Sequence, residues 1–406
     1  MQLYDLPLAF ALIGLALYAV LGGADFGAGF WQLLSGKGKR GDEIRAHARH
    51  AMAPVWEANH VWLIFVLTVI WTGFPLAFGS IASTLAVPFF LAGIGIVLRG
   101  GAYAMREAAA GARWQRTLDT VFSISSILTP FALGTMIGAI ASGRVRVGNP
   151  GGTLWTSWLN ATSIEVGVLA VATAAYTAAV FLSGDAERHG DHALAERFRL
   201  RALGAGIAAG AVATVGLVVL HSDAERLFHR ITQGPGLPAL VASLLAGVAT
   251  LALVWARRYE PARYTAALAV AATIVGWALA QNPVFLPGLT VRQAAAPHDT
   301  QLVLTIAVAA GAVLLFPSLA LLFRLTLGGQ LGHGELRGEV AQVPGADWHP
   351  GGTERRLAGA FLIGGAGFLT AASTGWAHAI GVACLFGFVI CGYRMALPEN
   401  LTDDAD

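Results

Sequence analysis

Charge is what this sequence has least of. Only 12% of its 406 residues are Asp, Glu, Lys or Arg, about half the share of an ordinary soluble domain. That scarcity points away from a soluble chain and toward the membrane class. A net charge of only +2, with arginines spread over loops rather than gathered on one face, argues against a nucleic-acid surface. Cysteine is nearly missing as well. Cys384 and Cys391 share one apolar run, about 10.5 Å of helical rise apart, which is too far for a disulfide. Soluble enzyme motifs are absent: there is no Gly-x-x-x-x-Gly-Lys-Ser/Thr phosphate loop and no Gly-x-Ser-x-Gly elbow. No Cys or carboxylate spacing suggests zinc. The N-terminus lacks a basic segment before its first apolar run and a small-residue cleavage site, so no cleavable signal peptide is expected.

What is present is apolar sequence in long runs. Hydrophobic residues make up 56% of the chain, and mean hydropathy is +0.63. A membrane span needs about 20 mainly apolar residues. That ruler predicts helices near 6–30, 53–74, 80–104, 118–142, 162–183, 203–221, 237–256, 265–283 and 301–323, with two shorter ones near 357–373 and 376–393. Breaks fall where Pro, Gly and charge cluster, as at Ser35–His50, Gly143–Gly152, Gly234–Pro238 and Gly328–Pro350. The expected fold is an all-α polytopic membrane helical bundle. Residues 1–327 form a nine-helix body, 328–356 a polar cytoplasmic linker, and 357–406 a transmembrane hairpin and tail.

Cytoplasmic loops carry an excess of Lys and Arg. With the N-terminus outside, twenty basic residues fall in inner loops, from Lys37, Lys39 and Arg40 through Arg188 and Arg257 to Arg394. Five fall outside: Arg144, Arg146, Arg226, Arg230 and Arg292. The asymmetry recurs along the chain and predicts an N-out, C-in topology. Gly23-x-x-x-Gly27, Gly134-x-x-x-Gly138 and Gly206-x-x-x-Gly210 are read as packing contacts within one subunit.

An ionisable side chain within a span is costly unless paired or hydrated, so each is a functional-site candidate. Asp25 lies about 28 Å along helix 1 from its outer end, and Glu57 opens helix 2 from the inside. Arg99 near the end of helix 3 and Asp119 near the start of helix 4 share that depth. Each has a bland reading as an interfacial or ion-paired residue. The functional reading is a cytoplasmic mouth for protons along a hydrated carboxylate chain. Glu57 and His60 lie on one helical face, with Trp56 and Asn59 the adjoining pair. A lone His in a span is more often a hydrogen-bonded structural residue, but beside a Glu it is also a candidate proton relay or haem ligand. His221 and His378 are weaker candidates near outer helix ends, and His47, His50, His189 and His192 read as loop residues. Three roles remain open on residues alone: a subunit of a respiratory complex, a transporter, or a channel.

Gly22-Gly-Ala-Asp-Phe-Gly-Ala-Gly29 and Ala53-Pro-Val-Trp-Glu-Ala-Asn-His-Val-Trp-Leu63 resemble subunit II of cytochrome bd-type quinol oxidases. The likeness continues through Trp71, Pro75, Arg99-Gly-Gly-Ala-Tyr-Ala-Met-Arg106, Trp114, Asp119 and Gln281-Asn-Pro-Val-Phe285 to Asp299-Thr-Gln-Leu302, covering most of 1–326. It implies a multi-pass subunit of the bacterial or archaeal cytoplasmic membrane that binds no haem itself. Haems b and d are expected in a partner, subunit I, where quinol is oxidised and O₂ reduced to water. Small single-helix subunits, membrane lipids and a structural quinone or lipid are compatible with it; nucleic acid is not a partner. The family's relay carboxylate maps onto Glu57, with Asp25 a second proton-path candidate, and Trp56, Asn59, His60, Arg99 and Asp119 in support. Three departures mark a divergent branch. A single acid, Asp25, stands where an Asp-Gly-Phe-Asp run is common, Glu57 replaces the commoner Asp, and His60 stands where Gln is frequent. The reading from another class is a proton-coupled secondary transporter using Asp25 and Glu57, and a third has this chain bind haem through His60.

Overall fold

The structure, a computed structural model, describes residues 2–36, 38–52, 56–106, 112–148, 153–327, 352–371 and 375–396. Helices dominate throughout. In order they are α1 (Asp5–Leu17), α2 (Gly23–Leu33), α3 (Lys39–Met52), α4 (Trp56–Gly73), α5 (Pro75–Thr84), α6 (Ala86–Arg106), α7 (Ala112–Ala141), α8 (Ala161–Arg188), α9 (His192–Asp223), α10 (Glu225–Thr232), α11 (Leu237–Trp255) and α12 (Tyr259–Gln281). A small hairpin of β1 (Val284–Leu286) and β2 (Leu289–Thr290) follows, then α13 (Val291–Ala294), α14 (His298–Leu327), α15 (Gly352–Ala371) and α16 (Gly375–Ala396). Among the described residues eight helical stretches are long and apolar enough to cross a membrane, or nine if one bent pair counts as a span. The all-α polytopic class is therefore as expected.

The first span runs Asp5–Leu33. Within it, one π-helical turn over Tyr18–Gly22 joins α1 to α2, a local unwinding that re-aims the face that follows. The bent pair is α4 and α5, which meet at 119°. Its cause is local. Pro75 opens α5, and the residue before a proline is pushed out of the α region; Phe74 accordingly takes φ −140° and ψ 59°. The continuous span expected near 53–74 thus ends in a sharp corner, and the next helix long enough to span begins at Ala86 rather than near 80.

The Ser35–His50 break is a helix for most of its length. α3 is heavily charged, so a hydropathy ruler passes over it. Ile44 and Ala48, four residues apart on one face, are buried with Ala178, Leu182, Leu194, Ala195 and Phe198. His47 is therefore helical, and His192 opens α9, capped by Asp191, whose carboxylate accepts from Leu194 N at 2.9 Å. The β-hairpin is likewise too short to show a strand period in the sequence. Leu286 and Leu289 anchor it in a core with Phe74, Leu85 and Met136, and Gly288 at φ +79° makes its turn.

Small residues set the helix packing. A Cβ on Gly138 would lie 2.5 Å from Ser163 Cα, and one on Gly134 would lie 2.8 Å from Gly167 Cα, so α7 and α8 touch backbone to backbone. Gly27 meets Ala174 and Ala178 of α8, while Gly210 has nothing near it.

The chain divides into two units, 1–316 and 317–406. In the second, α15 and α16 form at the places read for the two C-terminal helices, with Gly365 against Leu385 and Gly387 against Phe361. Both cysteines are free thiols. Most of the predicted linker, 328–351, lies outside the described residues.

Candidate functional site

Asp25 sits where α2 is most tightly enclosed. Every residue from Gly23 to Gly29 is buried, because the glycines on this stretch admit neighbouring helices. A Cβ on Gly29 would collide with Ser126 of α7. Into this enclosure α6 delivers Arg99, fully buried, against Asp25 at 1% exposure. The pair is bidentate, with Arg99 Nη1 donating to Asp25 Oδ2 at 2.5 Å and Nη2 to Oδ1 at 2.6 Å. Nη2 also donates to the Asp25 carbonyl at 3.1 Å, and Nε to Ser126 Oγ at 2.9 Å. Phe26 and Phe122 flank the guanidinium at 4.8 and 4.5 Å from their ring centres. Fork-to-fork pairing with further hydrogen bonds is what a buried ion pair requires to offset its desolvation.

A second charged cluster lies nearby. Arg106, the last residue of α6, donates through Nε to Asp119 Oδ1 at 2.5 Å and through Nη2 to Oδ2 at 3.3 Å. Arg49 of α3 reaches the same carboxylate at 3.6 Å. Burial, then the Arg106 charge, lowers the Arg49 pKa, and Asp119 opposes that shift. Both clusters border one cleft, open to the outside and lined among others by Asp25, Gln32, Arg49, Tyr103, Arg106 and Asp119. Gln32 is only 4% exposed, and neither its amide nitrogen nor its oxygen has a hydrogen-bond partner among the described residues.

α3 forms one wall of the cleft and is fastened to α8 by His47. Its Nε2 lies 3.2 Å from the Leu182 carbonyl and 3.8 Å from Asp185, and its ring packs on Phe198 at 5.6 Å. Burial lowers the His47 pKa, while the Leu182 carbonyl and Asp185 pull it back up. A group with a depressed folded-state value binds its proton more readily once unfolded, so stability falls as pH drops below about 6.5. Thermal unfolding at pH 7.5 and 5.5 should therefore show a smaller acid loss in His47→Gln, which keeps a donor but does not titrate. Equal losses in both proteins would remove His47 as the cause.

Of the residues singled out in sequence, Asp25 and Arg99 come together, and Asp119 shares their cleft. Asn59 is fully buried and donates to the Leu21 carbonyl at 3.1 Å, tying α4 to the π turn. His60 packs edge-on against Tyr18 and Phe26, at 6.5 and 6.2 Å between ring centres. The side chains of Trp56 and Glu57 lie outside the described residues, as do those of His50 and His378. Among the described residues no group of three or more His, Cys, Asp or Glu could hold a metal ion. Arg106 closes the Arg99–Arg106 motif, whereas Gln32, Arg49 and Ser126 are site residues that the sequence reading does not single out. For Gln32 one signal existed, since it stands seven residues after Asp25 and so on the same helical face.

The family model for cytochrome bd terminal oxidase subunit II matches residues 4–326. The chain belongs to that family. Among individual relatives it is 26% identical over 142 residues to the cytochrome bd ubiquinol oxidase subunit 2 of Bacillus subtilis, covering 35% of this chain and 41% of that one. Identity to the cytochrome bd-I ubiquinol oxidase subunit 2 of Escherichia coli is 27% over 134 residues, covering 32% and 35%. The aligned segments thus span about two fifths or less of these curated relatives. A chain in the structure of the bd oxidase from Geobacillus thermodenitrificans aligns with a TM-score of 0.64 and 25% identity, over 81% of this chain and 99% of that one. In this subunit II family member, the Asp25–Arg99 pair, Gln32 and the Asp119 cluster all lie within the matched region.

Proposed function

We propose that this chain is the non-haem subunit II of a quinol:O₂ oxidoreductase in a bacterial cytoplasmic membrane. It packs against a partner subunit I that carries haems b and d, and it supplies part of the proton path by which O₂ is reduced to water. The observation that carries this reading is the polar cleft, with Asp119 and its arginines at one end and the buried Asp25–Arg99 pair at the other. It lies among the end of α2, the end of α6, the start of α7 and α3, the end that the distribution of Arg and Lys assigns to the cytoplasm. Protons enter past Asp119, pass the Asp25 end of the cleft and reach Glu57 at the start of α4. Asn59 and His60 hold that part of α4 against the π turn. Residues 328–406 are an appended linker and hairpin beyond the nine-helix body.

Proton-coupled transport is less well supported. Transporters of that kind place substrate sites between paired broken helices near the bilayer midplane. Here the charged cleft lies at one end of the bundle, and the one bent pair among the described residues, α4 and α5, turns at Phe74 and Pro75. Purification of the chain from its native membrane, followed by a reduced-minus-oxidised visible spectrum, tests the reading. A co-purifying membrane subunit with b- and d-type haem bands is the expected result; a colourless, solitary chain would overturn it.

A further inference from the structure

We propose that Gln32 is a positioning residue that holds a short water chain in the cleft, bridging Asp119 to the Asp25 carboxylate. The proposal rests on the proton-path reading and adds a residue to it. Gln32 is buried, at 4% exposure, yet both atoms of its amide lack a hydrogen-bond partner among the described residues. Leaving a buried donor or acceptor unmade is costly, and such groups in folded proteins are satisfied by protein or by ordered water. Gln32 lines the cleft together with Asp25 and Asp119. The cleft is open to the outside, and its enclosed space of about 20 Å³ admits a water beside the amide, which needs about 10–15 Å³.

The spacing fits a chain of that kind. Asp25 and Gln32 are two turns apart on one face of α2, about 10.5 Å of rise. Waters at the usual O–H···O separation of about 2.8 Å, one held at the Gln32 amide and the others entering from the open side of the cleft, cover that distance. An amide suits the middle of such a chain because it presents two donors and an acceptor at once. It fixes a water from either side without itself taking or losing the proton. A hop then breaks one O–H bond and forms another in each neighbouring water, so a proton entering at Asp119 emerges at the Asp25 end with no net change in the waters or in Gln32.

The test uses the intact oxidase complex in detergent or nanodiscs and compares Gln32→Leu, Gln32→Glu and Asp119→Asn. Gln32→Leu fills similar space without hydrogen bonds. Its kcat for quinol-dependent O₂ consumption should fall about tenfold, the equivalent of one lost hydrogen-bonded bridge. KM for quinol and the haem spectrum should stay unchanged, and the solvent deuterium isotope effect on kcat should rise. Gln32→Glu restores hydrogen bonding and should recover most of the rate. Full turnover in Gln32→Leu with impaired Asp119→Asn would overturn the role of Gln32 alone. Full turnover in both would remove the cleft as the proton entry. If Gln32→Leu fails to assemble, a high-resolution map of the wild-type complex decides, since a dry Gln32 amide would overturn the proposal.

Discussion

Asp25→Ala, or Arg99→Ala, is expected to abolish recovery of the assembled complex. The two side chains are fully enclosed in the bundle, at 1% and 0% exposure. They satisfy each other through two hydrogen bonds, with two more from Arg99 to Ser126 and the Asp25 backbone. Removing one partner leaves the other as an uncompensated buried charge, a loss of about 3–5 kcal/mol. Typical domain stabilities are only about 5–15 kcal/mol. Replacing both with apolar residues of similar size removes the charge along with its partner, and such exchanges are often close to neutral. Asp25→Leu combined with Arg99→Met should therefore assemble better than either alanine variant. Size-exclusion recovery and thermal inactivation of the complex read this directly. Normal assembly and an unshifted Tm in Asp25→Ala would show that the pair does not hold α2, α6 and α7 together.

Glu57→Ala is expected to leave assembly intact and to lower quinol-dependent O₂ consumption by about a hundredfold or more, the scale of a lost proton-transfer group. Glu57 opens α4 at the end where the cleft lies, three residues before His60 and two before Asn59, whose bond to Leu21 fixes the helix there. Glu57→Asp keeps the titrating group and shortens its reach by one methylene, so it should retain a measurable fraction of the rate. The contrast with Asp25 is physical. Asp25, at 1% exposure and gripped by Arg99, contributes chiefly to packing and charge balance, whereas a relay must exchange its proton in each turnover. Should Glu57→Ala turn over at the wild-type rate with a normal haem spectrum, Glu57 is a structural residue and the path reaches subunit I by another group.

Much of this organisation was legible without coordinates. Asp25, Arg99 and Asp119 were recognisable because ionisable groups are rare in apolar runs, and counting residues along each helix placed them at one depth. Gly134 and Gly138 announced a close helix pair by their spacing. Where the local signals were weak or mixed, reading failed. α3 is too charged and too short for a hydropathy window, although Ile44 and Ala48 mark its buried face. The corner at Phe74 was written in the Pro75 that follows, but only the neighbouring core of Leu85, Leu286 and Leu289 fixes where the chain goes next.

Sequence alone determined the membrane class, the succession of apolar helices, the family likeness and the small set of charged residues inside the spans. Each of these depends on composition or on spacing along one helix, which local chemistry dictates. Tertiary structure decided which charge meets which. Asp25 pairs with Arg99, 74 residues away, and Asp119 with Arg106 and Arg49, because the rotation and depth of α2, α3, α6 and α7 bring those atoms together. Those rotations are set by close approaches at residues such as Gly27 and Gly29. The same packing encloses Gln32 and leaves its amide facing a cleft, which no pattern along a single helix can specify.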